Sequence, residues 1–210
     1  NMSIIQPFKG YLPPSTLAEK VSSPPYDVLS SDEAREIVQN NPYSFLRIIK
    51  PEIDYMPGSE PPSDILHQHA AKNIQEFISS GKLRQDKYPL FYLYAITMET
   101  HTQTGIMATV SIAEYNNGLI KKHEFTRKEK EDDRSRHIEV TNANTGPVFL
   151  TFRNNGDYQK QIETIKKQPP DLSFQAEDQT MHRLWRISNL DDQESLSIYF
   201  YVKMKSESKL

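Results

Sequence analysis

Cysteine is absent and glycine is scarce, with 7 among 210 residues. The first absence excludes a disulfide framework and a thiolate zinc site, and it fits a reducing cytoplasm. The second leaves no glycine-rich phosphate loop of the P-loop or dinucleotide type, so any nucleotide site must be built another way. No apolar run approaches the ~18 residues of a membrane span, and no signal-peptide pattern is present. An excess of either charge is missing too. A formal net charge of −3 gives no global drive toward nucleic acid or anionic membrane. No basic stripe interleaved with aromatics offsets that, which counts further against nucleic acid. What remains is ordinary for a soluble domain, with 36% hydrophobic and 25% charged residues. At 210 residues the chain is the size of one large domain or two small ones, and residues 2–210 are taken as one, Asn1 before Met2 reading as an expression scar.

The local patterns alternate between strand and helix. Residues 7–30 are Pro-rich and mostly extended, with one helical turn expected from Ser15 to Lys20. Ser30 and Glu33 form a capping-box pair that opens a helix through about Gln39. "YSFLRIIK" (43–50) reads as a buried strand, and 51–62 as an internal loop. Ser63 caps a helix with an apolar stripe of Leu66, Ala70, Ile74, Phe77 and Ile78, ended by Gly81. Strands are expected at 89–99 and 104–115, joined by a turn at Thr100–Gln103, and again at 148–153, 181–188 and 197–203. Helices are expected at 127–144 and 156–168. Strands outnumber helices and hairpins dominate. The fold class is therefore α+β, a mixed and largely antiparallel sheet with flanking helices.

The helix at 127–144 is the unusual element, because its only apolar residues are Ile138, Val140 and Ala143. Thr126 and Glu129 provide a capping box, and Gly146-Pro147 a stop. Favourable i,i+4 pairs such as Lys128–Asp132 and Asp133–His137 contribute ~0.2–0.5 kcal/mol each. Like-charge pairs at Glu129–Asp133 and Lys130–Arg134 offset them. Helical geometry puts Asp133, His137, Thr141 and Asn144 on one side, with Arg134 and Asn142 beside them. That stripe lines a polar cavity, or the helix is a solvated, salt-bridged one; the sequence is compatible with both.

Two further stretches carry chemistry. "KKHEFTR" (121–127) brings Lys122, His123, Glu124 and Arg127 to the start of that helix, a setting suited to a phosphoryl group or to a plain basic turn. Asp27 follows a rigid Pro-Pro-Tyr and is placed either as a base or in a turn. His67 and His69 point ~200° apart on their helix and cannot chelate one metal ion. Trp185 is expected in the core, while His101 and His182 read as ordinary polar residues.

Together "PFKGYLPP", "SPPYDVLSSDEAR", "NPYSFLRIIKPEID", "IKKHEFTRKEKEDDRSRHIE", "NANTGPVFLTF" and "HRLWRI" resemble, in this order, a widespread bacterial family of unknown function. Members are described as similar to the archaeal free serine kinase, with a fold like that of the ParB/sulfiredoxin nucleotide-binding proteins. The resemblance implies a nucleotide-dependent kinase acting on a small hydroxylated metabolite such as serine, using Mg2+ with ADP or ATP. It also implies that an Asp-Gly-His-His-Arg motif, present in family members beyond 197–203, is missing here, so the chain would be an N-terminal half whose partner is its own C-terminal half. Under it, Asp133, His137 or Asp27 would act on the acceptor hydroxyl. Lys122, His123, Glu124, Arg127, Arg134, Thr141, Asn142 and Asn144 would bind phosphate or substrate. The alternatives are a ParB-like nucleotide or nucleic-acid module and a non-catalytic interaction domain.

Overall fold

The computed structural model describes residues 4–121, 126–153 and 156–207. Its strands are β1 Ile5–Gln6, β2 Tyr11–Leu12, β3 Arg84–Gln85, β4 Phe91–Met98, β5 His101–Met107, β6 Thr109–Val110, β7 Leu172–Gln175 and β8 Met181–Ile187. The helices are α1 Ala18–Val21, α2 Ser31–Val38, α3 Leu46–Ile49, α4 Ser63–Ser79, α5 Ile112–Asn116, α6 Lys128–Thr141, α7 Asp157–Lys166 and α8 Leu190–Glu207. The α+β class holds, and each of these ladders with a described register is antiparallel. Two compact units emerge: residues 1–11, 85–125 and 149–210, and residues 12–84 and 126–148. Among the described residues no helix is long and apolar enough to cross a membrane.

The first unit is built on a four-stranded sheet of order β5-β4-β8-β7. Alternation puts Phe91, Leu93 and Ala95 of β4 and Trp185 and Ile187 of β8 on one face. There they form a core with Ile4, Ile5, Tyr158 and Ile162 of α7, and Leu196 and Phe200 of α8. Each such buried apolar side chain contributes about 1.5–3 kcal/mol. Trp185 is core, as its position in an apolar strand implied. On the opposite face Tyr92 is fixed by the Gly10 backbone N–H at 2.9 Å and donates to Asp86 at 2.7 Å. A Cβ at position 10 would lie 2.7 Å from the Tyr92 hydroxyl, so only glycine fits there.

The second unit is helical and has two apolar clusters. Val21, Ile48, Ile74, Phe77 and Leu83 form one, and Ala34, Val38, Leu46, Ile49 and Ile53 the other. The Ser30–Glu33 capping box is present in both directions at the start of α2. The helical turn near Ser15 is seen as a 3-10 turn at Ser15–Leu17 continuing into α1. Ala70, Ile74 and Phe77 of the α4 stripe are buried as read, with Ile78 packed beside them and Leu66 half-buried, and Gly81 follows that helix at φ 78°. Pro62, and not Ser63, occupies its N-cap.

Several elements differ from the sequence reading, each for a physical reason. Residues 43–50 contain the single-turn helix α3, whose Leu46 and Ile49 face one cluster and Ile48 the other. A short apolar run buried on two sides has no diagnostic period. The loop at 51–62 opens with a 3-10 turn at Pro51–Asp54. The hairpin turn is shorter than expected, with Glu99 at φ 53° and His101 already in β5. The strand expected at 104–115 ends at Met107, and β6 and α5 follow. Residues 148–153 form no regular element, and Val148 and Phe149 are exposed. Residues 197–203 belong to α8, which buries Leu196 and Phe200 one helical turn apart and leaves Ile198 and Val202 exposed.

Candidate functional site

The polar stripe of α6 is where the candidate site assembles, within the second unit. Arg127 is the exposed N-cap of this helix and its side chain makes no cap, so the expected Thr126–Glu129 box is not formed. At the other end Asn142 adopts φ 52° and closes the helix before Gly146-Pro147 is reached. Asn tolerates that left-handed conformation better than most residues, because its short amide bonds locally.

α6 is held to the unit by buried polar residues. His137 is 1% exposed and Thr141 4% exposed, whereas Ile138, the most apolar residue available, is 43% exposed. The His137 Nε2–H donates to the Ile48 carbonyl at 3.0 Å. That fixes the tautomer, since a carbonyl only accepts. The Thr141 hydroxyl donates to the His137 carbonyl at 2.6 Å and is thereby committed to backbone. Facing α6, His67 of α4 is 4% exposed and meets the His137 ring edge-to-face at 5.9 Å. The buried face of this nearly stripe-less helix is imidazole and hydroxyl, satisfied by backbone carbonyls.

Asp133 stands one turn before His137, at the half-exposed rim. Its Oδ1 accepts from His67 Nε2–H at 3.0 Å, and its Oδ2 accepts from Arg134 Nη2 at 2.8 Å and Nε at 3.2 Å. The Arg134 guanidinium lies over the Tyr26 ring at 4.4 Å from its centroid, a cation–π contact. Burial alone would raise the Asp133 carboxyl; the hydrogen bond and charge of Arg134, followed by His67, outweigh it and hold the group below the ordinary carboxylate value. Burial drives His137 below the usual imidazole value; the Ile48 bond and the Asp133 charge oppose it, and the Arg134 and His67 charges add to it. The constellation is therefore an ionised carboxylate between a guanidinium and an imidazole, with 44% of the Asp133 side chain open to solvent. The His67 Nδ1 is buried with no partner among the described residues.

Of the sequence-derived candidates, the fold brings together Asp133, Arg134, His137 and Thr141. Asp27 is exposed and forms no hydrogen bond or ion pair among the described residues, although its neighbour Tyr26 supports Arg134. Asn142 and Asn144 are exposed. Lys122, His123 and Glu124 lie outside the described residues. His67 and His69 diverge as expected, the latter bonding to Asp54 at 2.8 Å. Among the described residues no group of three or more His, Asp or Glu is placed to hold a metal ion. Residues 5–205 match the model of a family described as a protein of unknown function (DUF1015). The chain belongs to the DUF1015 family. No curated protein and no solved structure matches it. Two members of this DUF1015 site, His67 and Tyr26, escape sequence reading. The signal for His67 was its spacing of three from Ala70 and seven from Ile74, which sets it on the buried stripe of α4.

Proposed function

We propose that this DUF1015 protein is a cytoplasmic, nucleotide-dependent kinase of a small hydroxylated metabolite such as free serine. The observation that supports it most is the Asp133 carboxylate, kept ionised by Arg134 and His67 while half open to solvent. An ionised carboxylate accepts at about four lone-pair positions. Three are taken, one on Oδ1 and two on Oδ2, so Oδ1 retains room for an acceptor hydroxyl. With its pKa lowered, Asp133 orients that hydroxyl more than it deprotonates it. Phosphoryl transfer tolerates this, because its loose transition state asks for positioning and charge stabilisation above base strength. Arg134, backed by Tyr26, supplies positive charge toward a phosphoryl or carboxylate group. The hydroxyl oxygen forms the bond to the terminal phosphorus of ADP or ATP as the bond from that phosphorus to the bridging oxygen breaks; the nucleotide departs with one phosphate fewer, and the hydroxyl proton is released to solvent.

The described residues do not form a protein-held Mg2+ site, since they bring no three metal ligands together and Asp133 has a single acceptor position left.

The test is mass-spectrometric turnover by the complete gene product with ADP or ATP, Mg2+, serine and a panel of hydroxylated metabolites. A phosphorylated product is expected, falling about 100-fold in Asp133→Asn, with the melting temperature within a few degrees of wild type. Absence of product from every donor and acceptor pair sinks the reading. One observation favours a second function, a non-catalytic interaction domain: His67 and His137 are buried deeply enough for the whole constellation to serve as a clamp between α4 and α6. A large fall in melting temperature in Asp133→Asn supports that clamp.

A further inference from the structure

The first unit holds a second set of reactive side chains. Along one face of its sheet, Tyr94 of β4, His182 of β8, and Thr180 and Asp178 of the β7–β8 turn form a continuous hydrogen-bonded line. The Tyr94 hydroxyl lies 2.5 Å from His182 Nδ1, His182 Nε2 lies 2.8 Å from Thr180 Oγ1, and Thr180 Oγ1 lies 2.5 Å from Asp178 Oδ1. The Thr180 backbone N–H donates to the same carboxylate oxygen at 3.0 Å. A carboxylate only accepts, so the direction of every proton follows. Thr180 donates to Asp178, which leaves Thr180 to accept from His182 Nε2–H. The lone pair of His182 then lies on Nδ1 and receives the Tyr94 proton.

The packing holds this line in place. Phe174, paired with His182 across β7 and β8, stacks on the imidazole at 4.9 Å with an interplanar angle of 7°. Thr180 is 3% exposed. Asp178 is exposed, and the Thr180 bonds hold its carboxyl below the ordinary value. Burial keeps His182 below the usual imidazole range and pushes Tyr94 up to about 12. At neutral pH the imidazole is therefore unprotonated and the phenol still carries its proton. Directly across from Tyr94 on β5 stands Gly105, and among the described residues, its two chain neighbours aside, no heavy atom lies within 4 Å of the place its Cβ would take. The sheet thus leaves open space on the β5 side of Tyr94, where the residue paired with it has no side chain.

A nucleophile bonded to a base, with the base oriented by a third group, is the arrangement that activates a hydroxyl for covalent chemistry. We propose that Tyr94 is a base-assisted nucleophile, with His182 as its base and Thr180 and Asp178 as positioning residues, and that the opening at Gly105 admits an electrophilic acyl or phosphoryl group. Tyr94 Oη forms a bond to the carbonyl carbon or phosphorus, and its proton passes to His182 Nδ1. The donor's leaving group departs with the bonding electron pair and takes that proton from His182. The imidazolium formed in between is stabilised through Thr180 by the Asp178 carboxylate. This inference is independent of the Asp133 site.

The experiment is labelling of the full chain with phenylmethylsulfonyl fluoride, whose sulfonyl centre stands in for either donor and whose leaving group is fluoride. Peptide mass mapping over time compares Tyr94 with Tyr88, which is 63% exposed and serves as the unassisted reference. The expected result is Tyr94 labelling about 100-fold faster than Tyr88, from general-base assistance. Asp178→Asn keeps an oxygen for Thr180 but removes the charge, and should slow Tyr94 labelling about tenfold at unchanged melting temperature. His182→Gln should bring Tyr94 to the Tyr88 rate, with Trp185 fluorescence reporting an intact core. Equal rates for Tyr94 and Tyr88 in the wild type, or no change in Asp178→Asn, would overturn the proposal.

Discussion

Removing the His137 side chain takes away the donor on the Ile48 carbonyl and opens a cavity between α6 and α4. His137→Ala is expected to lower stability by about 2–4 kcal/mol, read from urea denaturation. The same residue makes stability depend on pH. Its folded pKa lies below its ordinary 6.5 because burial disfavours the cation, so the unfolded chain binds the proton first on acidification. The stability held by neutral His137 is full above 6.5 and is lost as pH falls through its folded pKa. Asp133 adds a second window: its stability is present above 3.8 and is lost as pH falls through its own lowered pKa. The groups facing His137 are Arg134, Asp133 and His67, and His182 titrates in the same upper window. A urea midpoint measured from pH 8 to pH 3 should therefore fall in two stages, and His137→Gln should flatten part of the first. A midpoint rising on acidification below pH 6.5 would contradict the assignment.

Elements whose signals are local were legible, and those fixed by distant contacts were not. The α2 capping box needs only Ser30 and Glu33, three residues apart, and it formed as read. The strand expected at 89–99 formed as β4, with each end within about two residues of the expected bound. By contrast Ile198, Phe200 and Val202 alternate yet belong to a helix, because the first unit supplies contacts for Leu196 and Phe200 and none that bury Ile198 or Val202. The candidate site shows the same division. Asp133, His137 and Thr141 follow from helical spacing alone, whereas His67 joins Asp133 across 66 residues. The α6 terminus allows a direct check of local energetics. Asn142 holds φ 52°, where glycine has no steric penalty. Asn142→Gly should stabilise the chain by a few tenths of a kcal/mol to about 1 kcal/mol in thermal or urea denaturation. A loss of stability would show that the Asn142 side chain makes a contact the helix needs.

For the molecule as a whole, the net charge of −3 supplies no electrostatic term for polyanion binding. The chain should not be retained on duplex DNA at physiological salt. Retention that weakens steeply with added salt would move the nucleic-acid alternative forward. Trp185, the single tryptophan, reports on the core of the first unit. Gly10→Ala forces a Cβ onto Tyr92 in that unit, and should lower the urea midpoint seen by tryptophan fluorescence by the equivalent of about 1–3 kcal/mol. The interleaving of the two units also sets an order on the ribosome. The second unit is complete once residue 148 has emerged, but the first unit needs Ile4 and Ile5 to meet Leu196 and Phe200. At about 5–20 residues per second, those two isoleucines wait roughly 10–40 s for their neighbours. During that interval β1 has only part of its core to enter and is open to chaperones, so slowing translation across residues 149–200 should lower soluble yield more than slowing it across residues 12–84.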